Sequence, residues 1–170
     1  MIIAVYAKPK ILPTFALQFQ FHRKKHKYRA LRKSKEQNLD NAFVKEYEFK
    51  ASQKLLFPFI STSRGLVAWF ADKAVTRDEL TFTFTWDGDE HFANLVSNKL
   101  NKAVKFEFAA APDPDTLAAL PHPFIEFSLS KSPVSESVFL RICDTTESKH
   151  DDVEEVWDSL VSNLKTAVGG

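Results

Sequence analysis

The segment Leu80–Trp86 leaves the chain little choice of local structure. Leu80, Phe82, Phe84 and Trp86 alternate with Thr81, Thr83 and Thr85. Successive side chains of a strand point to opposite faces, so one face would be aromatic and the other threonine. Asp87-Gly88 follows at once, and glycine tolerates the positive φ of a tight primed hairpin turn. A return strand is expected near Glu90–Asn98. A sheet with one aromatic face must bury that face against another layer.

The neighbouring segments say what that layer is. Phe43–Lys50 alternates, with Phe43, Lys45, Tyr47 and Phe49 against Val44, Glu46 and Glu48, and reads as a first strand. Ser52 is placed to cap a short helix over Gln53–Phe57, which Pro58 would bend or end. A second short helix is expected near Thr62–Ala71, with Leu66, Trp69 and Phe70 on one side at spacings of three and four. Asn101-Lys102 marks a turn, after which Val104, Phe106 and Phe108 alternate with Lys105 and Glu107. Four prolines, Pro112, Pro114, Pro121 and Pro123, keep Ala109–Pro123 out of any central strand. That segment reads as a loop with room for one helical turn at Thr116–Leu120. Phe124–Leu129 and Val138–Cys143 are two further strands, joined through Pro133.

The last element is an amphipathic helix over about Asp151–Val168. Val153, Val156, Trp157, Leu160, Val161, Leu164 and Val168 follow the helical period. Asp152, Glu154 and Glu155 suit the positive end of its dipole, Lys165 the negative end, and Gly169 a C-terminal cap. The fold class is therefore α+β: a strand, two short helices, five or six antiparallel strands, then a long helix. One long helix covers the apolar concave face of a bent sheet, and a cavity remains where helix and sheet do not fully meet.

Composition enters at three points. The 16 Phe point to a core built from large rings. The single cysteine, Cys143, excludes an intrachain disulfide and any cysteine-based metal cluster. No apolar run is long enough to span a bilayer, and Met1–Ala7 lacks the pattern of a secretory signal, so the expected location is the cytoplasm. The net charge of +1 hides an asymmetry. Residues 1–35 carry ten Lys and Arg and no acid, which leaves the remainder at a balance of −9. The patterned body starts abruptly near Ala42. Residues 1–41 are thus read as a basic N-terminal extension, either a disordered tail or sequence from a misplaced start, and residues 42–170 as one domain. Nucleic-acid binding through the arm is not the expectation, since the arm shows no sustained period.

Few polar residues suggest chemistry. His91, Asn94, Glu107, Glu126 and Arg141 fall on expected strands, where an inward-facing member would orient a ligand or move a proton. His91 and Glu90 follow the hairpin turn, which favours exposure, and Arg141 alternates with Leu140 and Ile142, which places it on the convex face. His22, His26, His91, His122 and His150 show no metal-ligand spacing beyond one i,i+4 pair in the basic arm, so no metal is expected. Asp151, Asp152, Glu154 and Glu155 read as a solvated helix start rather than a cation site. Cys143 has no paired histidine that would make it a nucleophile. Four glycines cannot build a phosphate-binding loop. No cofactor is expected, and the chain is not read as an enzyme.

Several local strings carry a resemblance. They are Phe43-Val-Lys-Glu-Tyr-Glu-Phe-Lys-Ala-Ser52, Gly65-Leu-Val-Ala-Trp-Phe-Ala-Asp72, Phe84-Thr-Trp-Asp-Gly88, Ser137-Val-Phe-Leu-Arg-Ile142 and Val156-Trp-Asp-Ser-Leu-Val-Ser-Asn-Leu-Lys165. With the element order, they resemble the START-like (SRPBCC, Bet-v-type) superfamily over residues 42–170. The branch is similar to the C-terminal domain of the heat-shock chaperone ATPase activator, and to small START-like proteins of the Bacteroidetes type. The resemblance implies a helix-grip fold, a curved antiparallel sheet wrapped around the C-terminal helix. It also implies that Trp69 and Phe70 face the cup. With Phe82, Phe84, Trp86, Phe106, Phe127, Leu140, Trp157 and Leu160, they would line an apolar pocket. The expected function is non-enzymatic binding of an apolar small molecule or lipid between sheet and helix. The alternative is a protein-interaction module, such as a regulator of a chaperone ATPase.

Overall fold

The computed structural model describes residues 42–108, 122–146 and 151–169. The basic arm and the turn expected at Thr116–Leu120 lie outside them. Ten elements follow in order: β1 (Phe43–Phe49), α1 (Gln53–Ser61), α2 (Ser63–Val67), β2 (Lys73–Thr76), β3 (Thr81–Trp86), β4 (Asp89–Lys99), β5 (Ala103–Phe108), β6 (Phe124–Lys131), β7 (Val138–Asp144) and α3 (Asp151–Val168). The strands form one antiparallel sheet in the order β1-β7-β6-β5-β4-β3-β2. This is the helix-grip α+β fold. β1 and β2 are opposite edges, so α1 and α2 carry the chain across the sheet before a meander of six strands brings it back to β1.

Alternation decides which side is buried. Phe82, Phe84 and Trp86 of β3, Val104, Phe106 and Phe108 of β5, Ile125, Phe127 and Leu129 of β6, and Val138, Leu140 and Ile142 of β7 all enter one core. From the other side come Leu56, Phe57 and Ile60 of α1, Leu66 of α2, Trp69 and Phe70 just after it, and Val153, Trp157, Leu160, Val161 and Leu164 of α3. The Asp87-Gly88 turn has φ of 51° and 90°, the two positive angles that a primed hairpin turn requires.

Three expectations need correction. The first helix does not end at Pro58 but runs through it to Ser61. Proline removes one donor, the N–H that would reach the carbonyl of Lys54, and Lys54 lies on the exposed side. Ser52 caps the helix as expected, accepting from the Leu55 N–H at 3.1 Å. The strand that contains the aromatic alternation begins at Thr81, and Leu80 is 62% exposed. Asp78 explains this, because its Oδ1 accepts from the N–H groups of both Leu80 and Thr81 and turns the chain there. The second helix, expected near Thr62–Ala71, ends at Val67, and Trp69 and Phe70 stand in the turn that follows it. One strand was not expected at all, because β2 had no sequence signal. Its four residues show no alternation, and it is held by its pairing to β3, extended by Asp72 N–H on the Thr85 carbonyl and Arg77 N–H on the Thr81 carbonyl.

Candidate functional site

The ten residues expected to line a pocket converge. Phe82, Phe84 and Trp86 rise from β3, Phe106 from β5, Phe127 from β6 and Leu140 from β7, while Trp69, Phe70, Trp157 and Leu160 descend from the helical side. All ten are buried in one cluster. Their rings touch. Phe70 meets Phe84 at 5.4 Å, Trp86 at 5.2 Å and Phe127 at 5.6 Å, each nearly edge-on. Phe82 meets Phe106 at 5.0 Å. Edge-to-face and offset contacts at these separations are the favourable ones for aromatic quadrupoles. In this arrangement the protein's own rings pack against one another inside the cup.

Three indoles anchor the cluster, and they differ in what they donate to. Trp69 Nε1 donates to the Phe59 carbonyl at 2.9 Å, and Trp86 Nε1 to the Phe70 carbonyl at 2.6 Å. These two tie the α1–α2 region together and to the sheet. Trp157 Nε1 donates instead to a side chain, Asp144 Oδ2, at 3.1 Å. The Trp157 ring lies nearly parallel to two others, Phe43 at 6.4 Å and 7°, and Phe70 at 5.9 Å and 13°.

Asp144 is the feature that the sequence reading missed. It is 2% exposed, and its other oxygen accepts from the Thr146 N–H at 2.8 Å and the Thr146 hydroxyl at 2.6 Å. Burial raises its carboxyl above the ordinary aspartate value, against the three hydrogen bonds, which favour the charged form. A signal existed. Leu140 and Ile142 point inward, so strand alternation carried two residues further places position 144 inward too. The strand was expected to stop at Cys143. Phe43 was likewise recognised as a strand residue and not as a wall of the site, although it pairs directly opposite Asp144.

On the outer side of α3, Lys45 Nζ reaches Glu154 Oε1 at 2.7 Å and Asp158 Oδ1 at 2.6 Å, and the Tyr47 hydroxyl donates to the same Asp158 oxygen at 2.8 Å. The bond to Asp158 raises the Lys45 ammonium, and the bond from Lys45 lowers the Asp158 carboxyl. Burial, aided by Asp158, raises the Tyr47 phenol. This partly exposed latch fastens α3 to edge strand β1.

The other polar candidates lie away from the cup's centre. Arg141 and Asn94 are exposed. Glu107 pairs with Lys105 at 2.9 Å, and its neighbour across the pairing of β5 with β6, Phe124, lies under the Lys105 ammonium at 3.9 Å. His91, expected to be exposed, is half-buried with its ring against Trp86 at 5.2 Å, because it alternates on one face of β4 with buried Ala93 and Leu95, and burial lowers its imidazole. Cys143 is buried and burial raises its thiol. Among the described residues no group of three or more His, Cys, Asp or Glu is placed to hold a metal ion, and no helix is long and apolar enough to cross a membrane. The convex face carries an apolar row: Val75, 56% exposed, pairs with Thr83, which pairs with Phe92, 40% exposed. Val96, the extra residue of a bulge in β4, is also exposed.

Comparison with known proteins places this geometry. The family model of the START-like superfamily domain matches residues 38–170. Among solved structures, the Aha1 dimer from Colwellia psychrerythraea aligns with a TM-score of 0.59 at 18% identity, over 75% of this chain and 95% of that one. A protein from Bacillus thuringiensis aligns with a TM-score of 0.59 at 13% identity, over 76% and 99%. A protein from Bacteroides fragilis is 30% identical, with a TM-score of 0.47 over 74% and 89%. No curated protein matches the chain.

Proposed function

This chain belongs to the START-like superfamily, whose fold commonly binds hydrophobic ligands, and from that premise we propose that it is a non-enzymatic binder of an apolar small molecule or lipid. The ligand is taken between the concave face of the sheet and α3. The observation that carries this reading is the convergence of ten large apolar residues from the sheet, from the end of α2 and from α3 on one cup. The rings of the cup pack on one another, so in this reading a ligand is admitted by displacing part of that packing. The sheet is a continuous hydrogen-bonded ladder and resists deformation. α3 is held by side chains, namely the Trp157–Asp144 bond, the Lys45 latch and its apolar face. It is the element that can withdraw.

Native mass spectrometry on the full chain, purified gently from its own host, tests the reading. A bound small molecule of defined mass supports it and identifies the ligand. A bare protein mass, together with no uptake of a neutral apolar fluorophore such as N-phenyl-1-naphthylamine, overturns it.

A second reading is a protein-interaction module of the chaperone-regulator kind. It draws on the exposed row through Val75 and Phe92 and on the likeness to the Aha1 dimer. Stimulation of a chaperone ATPase that is lost in Phe92→Ser would favour it. A monomer in sedimentation velocity with no effect on that ATPase counts against it.

A further inference from the structure

Trp157 is the one tryptophan whose indole N–H is spent on a side chain rather than on a backbone carbonyl. The surroundings of that indole form a complete recognition site. Two rings, Phe43 and Phe70, lie within 7° and 13° of parallel to it. Phe127 meets it edge-on at 6.0 Å and 76°. Asp144 Oδ2 accepts its donor at 3.1 Å. The acid does not depend on Trp157 for its position. Thr146 holds Oδ1 through both its N–H and its hydroxyl, and Phe43 stands directly across from Asp144 in the pairing of β1 with β7. The rings and the acceptor therefore belong to the sheet and to the turn after α2, whereas the indole belongs to the element that can withdraw.

We propose that Trp157 occupies the ligand subsite of this protein and that the ligand is a flat aromatic ring bearing an N–H or O–H donor, stacked on Phe43 and Phe70 with its donor on Asp144. The inference rests on the apolar-ligand reading above and narrows it. Withdrawal of the indole leaves Asp144 Oδ2 buried and short of its donor. An unmet buried acceptor is costly, so a ligand without a donor is discriminated against. A fatty carboxylate fits worse, because it is neither flat nor a donor and brings only acceptors to an acceptor. A planar donor replaces both the stacking and the hydrogen bond that Trp157 makes.

The test compares indole, 1-methylindole and dodecanoate on the 15N-labelled full chain. The side-chain N–H resonance of Trp157 is assigned by its loss in Trp157→Phe. Indole is expected to shift that resonance and to bind about tenfold more tightly than 1-methylindole, in which a methyl group replaces the donor hydrogen. Asp144→Leu is expected to bring the two ligands within about threefold of each other. The wild-type ligand pair is able to overturn the inference even where that variant does not fold, and Asp144→Leu separates the lost donor from the added methyl. Equal affinity for indole and 1-methylindole, or tighter binding of dodecanoate than of indole, overturns the inference and leaves the apolar-ligand reading standing. Failure of all three ligands, joined to a bare native mass and no fluorophore uptake, removes that reading and the inference with it.

Discussion

Truncating Trp157 tests how α3 is held. The ring is 2% exposed, lies nearly parallel to Phe43 and Phe70, and meets Phe127 at 6.0 Å and Trp69 at 6.5 Å. Replacing a buried tryptophan by alanine typically costs about 3–5 kcal/mol in lost transfer energy and residual cavity. Here a second effect adds to it. Asp144 Oδ2 loses its donor while still buried, at about 1–3 kcal/mol. The sum for Trp157→Ala is about 4–8 kcal/mol, against a total stability of about 5–15 kcal/mol for a domain of ordinary size. The variant should be unfolded or close to it. Trp157→Phe keeps one ring against Phe43 and Phe70 and gives up the hydrogen bond and part of the area, about 2–3 kcal/mol. Urea unfolding followed by circular dichroism gives both values, with an unchanged slope against urea showing that the unfolded state is the same. A cost under about 1 kcal/mol for Trp157→Ala would refute the reasoning. It would mean that α3 stays on the sheet without this ring, held by Leu160, Leu164 and the outer latch.

Two further perturbations address single contacts. Burial raises the Asp144 carboxyl above 3.8, so the folded protein holds that proton more tightly than the unfolded chain does. The resulting stability is fully present below the unfolded value and is lost as pH rises through the folded one. Asp144→Asn has no proton to lose. Its stability relative to wild type should climb by up to about 1.4 kcal/mol per pH unit across that window, and a difference that stays flat from about pH 3.5 to 7 in urea titrations argues against it. Gly65→Ala should cost about 1–3 kcal/mol or more in thermal unfolding. A Cβ there would overlap the Pro58 carbonyl and come within 2.5 Å of Phe59 Cα, both of them backbone, so α2 would have to leave α1. A neutral result would show that the two helices can separate without disturbing Leu66 and Trp69.

The strands that could be read in the chain were those whose alternation is strong enough to fix a face. Phe82-Thr-Phe-Thr-Trp86 is such a run, and all three of its rings are buried with the threonines on the other side. Arg141 is exposed where alternation with Leu140 and Ile142 puts it. β2 was not legible, because Lys-Ala-Val-Thr carries no pattern and is a strand only through the free edge of β3. Pro58 misled in the opposite way. A local rule about a missing donor was overruled by packing, since Leu56, Phe57 and Ile60 flank the proline and all three are buried against the sheet. The site divides along the same line. Eight of the ten residues proposed for the cup lie at inward-facing positions of strands or of α3 that the pattern shows, while Trp69 and Phe70 stand in the turn after α2 and were placed by the family resemblance. Asp144 was not read at all, because the strand was expected to end one residue early. Whether inward rings leave a hole is not a matter of pattern at all. It depends on rotamers and volumes, and ring pairs such as Phe70–Trp86 at 5.2 Å exist only once the chain is folded.

If a ligand is admitted to the cup by displacement, as proposed, its affinity and the attachment of α3 are linked, and the latch separates the two. Lys45 and its partners Glu154 and Asp158 are 29%, 59% and 50% exposed, so the pairs belong to the weak, salt-screened class. Lys45→Met should lower stability by only about 0.5–1 kcal/mol, and by less in high salt. If α3 must withdraw to admit a ligand, the apparent dissociation constant is the intrinsic one divided by the fraction of molecules in the open form. Removing a contact made only in the closed form raises that fraction. Lys45→Met should then bind an apolar ligand up to about fivefold more tightly than wild type while being less stable. Phe70→Ala works the other way, since Phe70 packs on the sheet rings and is proposed to stack on the ligand as well, and it should lose stability and affinity together. Opposite signs of the affinity change in these two variants, measured by calorimetry on the same ligand, are what displacement of α3 requires. Equal signs would mean that a ligand reaches the sheet with α3 in place.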